Sequence, residues 1–131
     1  MTNSPEPSAR SRTERRVFVY GTLMPGQVRW RFLRPFAASW EPATAPGLLW
    51  DTGRGYPAAT FAGGGGVIPG VTVVLEVETA EAAIRVLDGI EGEGSLYGRV
   101  PVMTSRGPAL SYEWLGATDG FRPLPGGWAV A

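Results

Sequence analysis

The residues best suited to acid–base work lie in the run Leu87-Asp88-Gly89-Ile90-Glu91-Gly92, followed shortly by Tyr97 and Arg99. On helical spacing Leu87 and Ile90 share a face and Glu91 lies beside them, so its carboxylate is drawn inward where the helix frays. A carboxyl that loses hydration against apolar groups rises from about 4.3 toward the range useful for proton transfer. Asp88 and Glu93 stand close by, and a shifted helix end would present either of them instead. Glu91 is preferred because it adjoins the Leu87–Ile90 face, whereas Glu93 falls between glycines. Taken alone, a glutamate near a helix C-terminus is usually a solvated surface residue.

A second chemical feature is the strand end Tyr20-Gly21-Thr22-Leu23, which continues as Met24-Pro25-Gly26-Gln27-Val28. Its two glycines have the spacing of a nucleotide-binding phosphate loop, but Gln27 and Val28 replace the lysine and hydroxyl that hold a triphosphate and its magnesium. A nucleotide is therefore excluded. What remains is either a plain strand and turn, or a run of backbone amides able to cradle a carboxylate or oxyanion. Gly55-Tyr56-Pro57-Ala58 offers an aromatic before a rigid proline, which either walls a pocket or begins a strand.

Absences narrow the chemistry further. The 131 residues include no histidine, cysteine or lysine, which removes Ser-His-Asp triads, Cys-His dyads, lysine chemistry and the usual zinc sites. No carboxylate-dense loop of calcium-binding spacing appears. Twelve arginines balance twelve acidic residues, so charge gives no reason to expect nucleic acid or an anionic membrane as partner. No apolar stretch reaches the ~18 residues of a spanning helix, and the polar N-terminus lacks a signal-peptide core, leaving the cytoplasm as the expected location.

The elements that must position these groups are short. Met1 to Arg16, rich in Ser, Pro and Arg, reads as a disordered tail, with a single domain over 17–131. Val17–Tyr20 predicts a buried strand, and Val28–Phe36 a short helix stopped by Pro35. Gly47–Trp50 and Tyr56–Phe61 predict strands joined by a turn over Asp51–Gly55, and Gly63–Gly66 a flexible hairpin connection. Val67–Val77 gives the longest strand signal, with a bulge at Pro69-Gly70 and Glu76 facing outward between Leu75 and Val77. Thr79 caps a helix with Glu81 in its first turn and Ala83, Ile84 and Leu87 as its apolar stripe; Gly89, Gly92 and Gly94 dissolve it. Leu96–Thr104 and Ala109–Leu115 predict two more strands around a turn at Ser105–Pro108, and Phe121 and Trp128 are free to dock the tail. The fold class is α+β: a small, mixed, partly closed β-barrel of five to six strands with one or two flanking helices.

In their order, Tyr20-Gly21-Thr22-Leu23, Gly55-Tyr56-Pro57-Ala58, Leu87-Asp88-Gly89-Ile90-Glu91-Gly92 and Tyr97-Gly98-Arg99 resemble the motifs of the gamma-glutamylcyclotransferase-like family. The match spans about Val17 to Leu115. The resemblance implies a small mixed barrel with flanking helices and an enzyme that cyclises a gamma-glutamyl amide to 5-oxoproline, releasing the amine without cofactor or metal. It assigns Glu91 as general base and then acid, and Tyr20, Gly21, Thr22 and Leu23 to the cavity for the glutamyl end. Tyr56 and Tyr97 become pocket walls, with Tyr97 a candidate phenolic hydrogen bond. Many family sequences carry a small polar residue where this chain has Arg29-Trp30, which touches the leaving-group side of the pocket. Two other functions fit the same residues: a binding module that keeps the cavity without turnover, and a carboxylate-dependent amide hydrolase. The identity of the leaving amine and the oligomeric state are not legible here.

Overall fold

The computed structural model describes residues 15–61, 65–92 and 94–128. The tail expected over Met1–Arg16 lies outside them except for Arg15 and Arg16, as do Gly63, Gly64 and Glu93. A five-stranded sheet carries the order β2 (Ala37–Pro46), β5 (Val67–Leu75), β1 (Arg16–Val19), β7 (Gly107–Trp114), β6 (Tyr97–Thr104). Its centre, β1, runs antiparallel to β5 with Val17 opposite Val73, and parallel to β7 with Val17 opposite Leu110.

The unbroken apolar run of β1 suits a strand covered on both faces. Alternation sends Val17 and Val19 into one core with Leu33, Ala83 and Leu87, and Phe18 and Tyr20 into another with Ala45, Leu49 and Ile68. The first core is roofed by helix α2 (Ala80–Glu91), whose buried stripe is Ala80, Ala83 and Leu87. A second sheet, β4 (Pro57–Thr60), β3 (Leu48–Asp51), β8 (Arg122–Pro123), closes over the second core and supplies Pro57. The turn between β6 and β7 reaches back to β2: Ser105 N–H donates to Thr44 O at 2.8 Å, and Arg106 pairs with Glu41 at 3.0 Å. The edges of the large sheet thus meet at one corner without closing into a continuous barrel, and the α+β class holds.

Several local expectations are corrected. The longest strand among the described residues is β2, ten residues in which Ala, Ser, Pro and Glu, of little strand propensity, outnumber Trp40 and Thr44. It pairs only with β5 within the sheet, and such an edge tolerates Pro42 and Pro46 because one backbone flank needs no partner. The register shift lies in β2 at Ala37/Ser39 rather than at Pro69-Gly70; Pro69 sits past the end of β1 and pairs with β2 alone. β5 stops at Leu75, so Val77 enters a 3-10 turn (Val77–Thr79) and is largely exposed. Pro35 does not stop helix α1 (Trp30–Leu33) but lies in the 3-10 turn Arg34–Phe36 that continues it. Thr79 precedes α2 without a side-chain capping bond. Gly89 stays inside α2, and the helix ends instead at Gly92, whose left-handed conformation (φ 64°) returns its N–H to Asp88 O.

Candidate active site

The chain leaving β1 turns sharply at Gly21. Gly21 O accepts from Met24 N–H at 3.1 Å, and Thr22 O accepts from Arg29 N–H at 2.8 Å, so the loop is folded by its own carbonyls. The N–H groups of Gly21, Thr22 and Leu23 donate to no acceptor among the described residues, although all three residues are buried. Buried amides without acceptors carry a cost unless something fills the space they face. Glycine at 21 is required by proximity: a Cβ there would lie 2.6 Å from Pro57 Cγ, inside the contact distance of a rigid ring. Two of the sequence motifs therefore meet side by side, Tyr20-Gly21 against Tyr56-Pro57.

The cavity between them, about 100 Å³, is lined by Tyr20 to Leu23, by Tyr56 and Pro57, and by Ile90, Glu91 and Tyr97. Every site residue singled out in the sequence borders it. Glu91 is the last residue of α2, and the αL turn at Gly92 ends the helix before it can carry that side chain past the cavity. Burial pushes the Glu91 carboxyl up to about 7, partly opposed by the guanidinium of Arg29. The carbonyl end of a helix disfavours a negative charge and acts in the same direction as burial. Among the described residues that line the cavity, Glu91 is the single carboxylate and Arg29 the single cation.

Asp88 lies elsewhere. Its carboxylate accepts from the Tyr112 hydroxyl at 2.6 Å and pairs with Arg99, tying α2 to β6 and β7. Asp88 does not line the cavity, and Arg99, the end of the Tyr-x-Arg motif, serves this brace.

The tyrosines divide by what their hydroxyls already do. Tyr20 donates to Tyr112 O, and Tyr97 donates to Pro57 O at 2.7 Å. Burial raises both phenols above their ordinary range, with the Glu91 charge adding to the effect, so both stay protonated. Tyr97 is further fixed edge-on against Trp114 at 5.3 Å between ring centres. Its phenolic proton is thus committed to the backbone of β4, while the Tyr56 hydroxyl has no partner among the described residues. Arg29 is the lining residue that sequence spacing did not assign to a role; its one signal was that a cation replaces the small polar residue common at that point. Tyr112 gave no signal, because the alternation of β7 alone does not say which core a buried tyrosine enters. Among the described residues no group of three or more carboxylates has the arrangement to hold a metal ion, and no helix is long and apolar enough to cross a membrane.

The fold recurs in solved structures. PH0828 from Pyrococcus horikoshii is 22% identical, with 84% of this chain and 85% of that one covered at a TM-score of 0.62. YtfP from Escherichia coli is 24% identical over 86% of this chain and 94% of its own, at 0.59. An AIG2-like protein from Mus musculus is 20% identical over 79% and 77%, at 0.60. No curated protein matches. The family model described as gamma-glutamyl cyclotransferase, AIG2-like, matches residues 17–129, a span that holds the strand end at Gly21, the Pro57 contact and Glu91. The chain belongs to the AIG2-like gamma-glutamyl cyclotransferase family.

Proposed function

We propose that this protein cyclises the glutamyl group of a gamma-glutamyl amide to 5-oxoproline and releases the amine. The Glu91 carboxylate removes a proton from the substrate's α-ammonium. The freed amine attacks the side-chain amide carbon, closing the five-membered ring and placing negative charge on the carbonyl oxygen. As that intermediate collapses, the carbon–nitrogen bond to the leaving amine breaks and Glu91 gives its proton to the departing nitrogen. The carboxylate then takes the second proton from the ring nitrogen, leaving the neutral lactam, and passes it to the released amine, which departs as an ammonium. One carboxylate serves each transfer, and no water is consumed.

The observation that carries this reading is the pairing of Glu91, the one carboxylate among the described residues that line the cavity, with its pKa near 7, with the unpartnered amides of Gly21, Thr22 and Leu23, which border the same space. A free α-amine has a pKa of about 8, so a base near 7 faces only a small uphill transfer, and the resulting acid is still strong enough to protonate an amine. The amides offer donors to the substrate α-carboxylate and to the developing oxyanion. The rings of Tyr97 and Tyr56 wall the glutamyl chain. Because the nucleophile belongs to the substrate, folding it into a ring-closing shape supplies much of the acceleration.

Incubation with a panel of gamma-glutamyl amino acids and gamma-glutamyl amines, with 5-oxoproline measured directly, tests the reading. The expected result is 5-oxoproline with no oxygen taken from labelled water. Glutamate carrying solvent oxygen would identify a hydrolase instead. Absence of any product alongside tight 5-oxoproline binding would identify a binding module.

A further inference from the structure

Arg29 has the most specific unassigned chemistry in the molecule. Its backbone is pinned at both ends, N–H to Thr22 O at 2.8 Å and O to Phe32 N–H at 3.0 Å, so its position relative to the Gly21–Leu23 amides is set. The guanidinium reaches the cavity and acts electrostatically on both Glu91 and Tyr97. It nevertheless forms no ion pair or hydrogen bond among the described residues. Its neighbours differ: Arg31 lies over the Phe32 ring at 4.8 Å, and Arg34 over Trp40 at 5.0 Å. A half-buried guanidinium that borders a cavity and holds no ion pair among the described residues is the donor set for a carboxylate.

The cavity is graded from floor to rim. Tyr20, Leu23, Pro57 and Tyr97 are buried, whereas Arg29, Ile90 and Leu96 are half-buried or exposed. A partly open space of about 100 Å³ suits a glutamyl-sized group at its floor with the amine portion at the rim. We propose that Arg29 selects substrates whose leaving amine carries its own carboxylate, so that the preferred class is gamma-glutamyl amino acids rather than gamma-glutamyl alkylamines. This rests on the cyclisation reading above. The charges then match one to one: ammonium with Glu91, glutamyl α-carboxylate with the loop amides, second carboxylate with Arg29. An alkylamine leaves the guanidinium unpaired as substrate displaces its water, a cost the amino-acid substrate avoids.

Binding of gamma-glutamylalanine and gamma-glutamylethylamide, which differ by that carboxylate, is measured calorimetrically on Glu91→Gln protein to prevent turnover, and again with Arg29→Gln added. The first protein should prefer gamma-glutamylalanine by roughly tenfold to a hundredfold, and the added substitution should bring the ratio close to one. Arg29→Lys, which keeps a point charge but not the fork, should retain part of the preference, and melting curves confirm that the variants fold. Equal weakening of both ligands, with the ratio preserved, would overturn the inference by placing the glutamyl α-carboxylate on Arg29. Absence of a preference before Arg29 is changed would overturn it as well, leaving cyclisation intact. Binding of neither compound by either protein would overturn this inference, and failure of the parent protein to form 5-oxoproline from either compound would overturn the cyclisation reading beneath it.

Discussion

Asp88 and Glu91 stand three residues apart near the end of α2, and their carboxyl groups meet opposite surroundings. Asp88 is given partners: the Tyr112 hydroxyl and the Arg99 guanidinium, at a partly exposed surface. Glu91 is given a cavity, with burial raising its pKa and no side-chain hydrogen bond or ion pair among the described residues. Paired charge makes one acid a brace; unpaired, desolvated charge suits the other to the proton transfers proposed above. Residue type and helix position are nearly shared, so the environment alone separates the roles.

That contrast can be broken at several points. Glu91→Gln should cut the rate of 5-oxoproline formation by about 10²–10⁴-fold, because the amide keeps the shape and loses the proton transfer. Product formed equally well by this variant would end the assignment.

The same substitution should have the opposite sign for stability. With Glu91 raised from 4.5 to about 7, the folded protein binds more protons than the unfolded chain across that window. The Glu91 contribution to stability is therefore fully present below about pH 4.5 and is lost as pH rises through about 7. Gln cannot ionise, so the variant should be more stable than the parent at pH 8, by up to about 3 kcal/mol, and similar to it at pH 4. Paired thermal melts at the two pH values read this out; a variant less stable at pH 8 would argue against a buried charge.

Gly21→Ala attacks the cavity from the other side. The added methyl meets the Pro57 ring, which cannot swing away, and overpacking of this kind costs about 1–3 kcal/mol. The melting temperature and the rate should both fall. An unchanged rate would show that the Tyr20-Gly21 turn does not set the cavity. Asp88→Asn should do least: the Tyr112 hydroxyl keeps an acceptor, and loss of a partly exposed ion pair costs about 1 kcal/mol or less. Turnover within a few-fold of the parent would complete the contrast with Glu91, and a large loss would erase it.

The sequence showed the parts whose signals are local. Val17–Tyr20 reads as a buried strand because β1 is covered on both faces, and α2 reads as a helix because Ala83 and Leu87 recur at helical spacing. Glu91 was legible from its position beside Leu87 and Ile90, and each residue assigned to the site does border the cavity. β2 was not legible, because an edge strand of alanine and proline is held by the β5 ladder rather than by its own side chains. The role of Gly21 was legible only in part: a sharp turn suggested conformational freedom, whereas the constraint is Pro57, 36 positions away in the chain. The commitment of the Tyr97 proton to Pro57 O, and the unpaired state of Arg29, are likewise facts of tertiary contact.

The claim beneath all of this is that the fold holds Glu91 as a desolvated, unpaired acid near neutrality. Side-chain carboxyl ¹³C resonances followed from pH 3 to 9, with Glu91 assigned by its loss in Glu91→Gln, measure that directly. A midpoint near 7 is the expected result. A midpoint near the ordinary glutamate value of about 4.3 would mean a solvated carboxylate and would contradict the account.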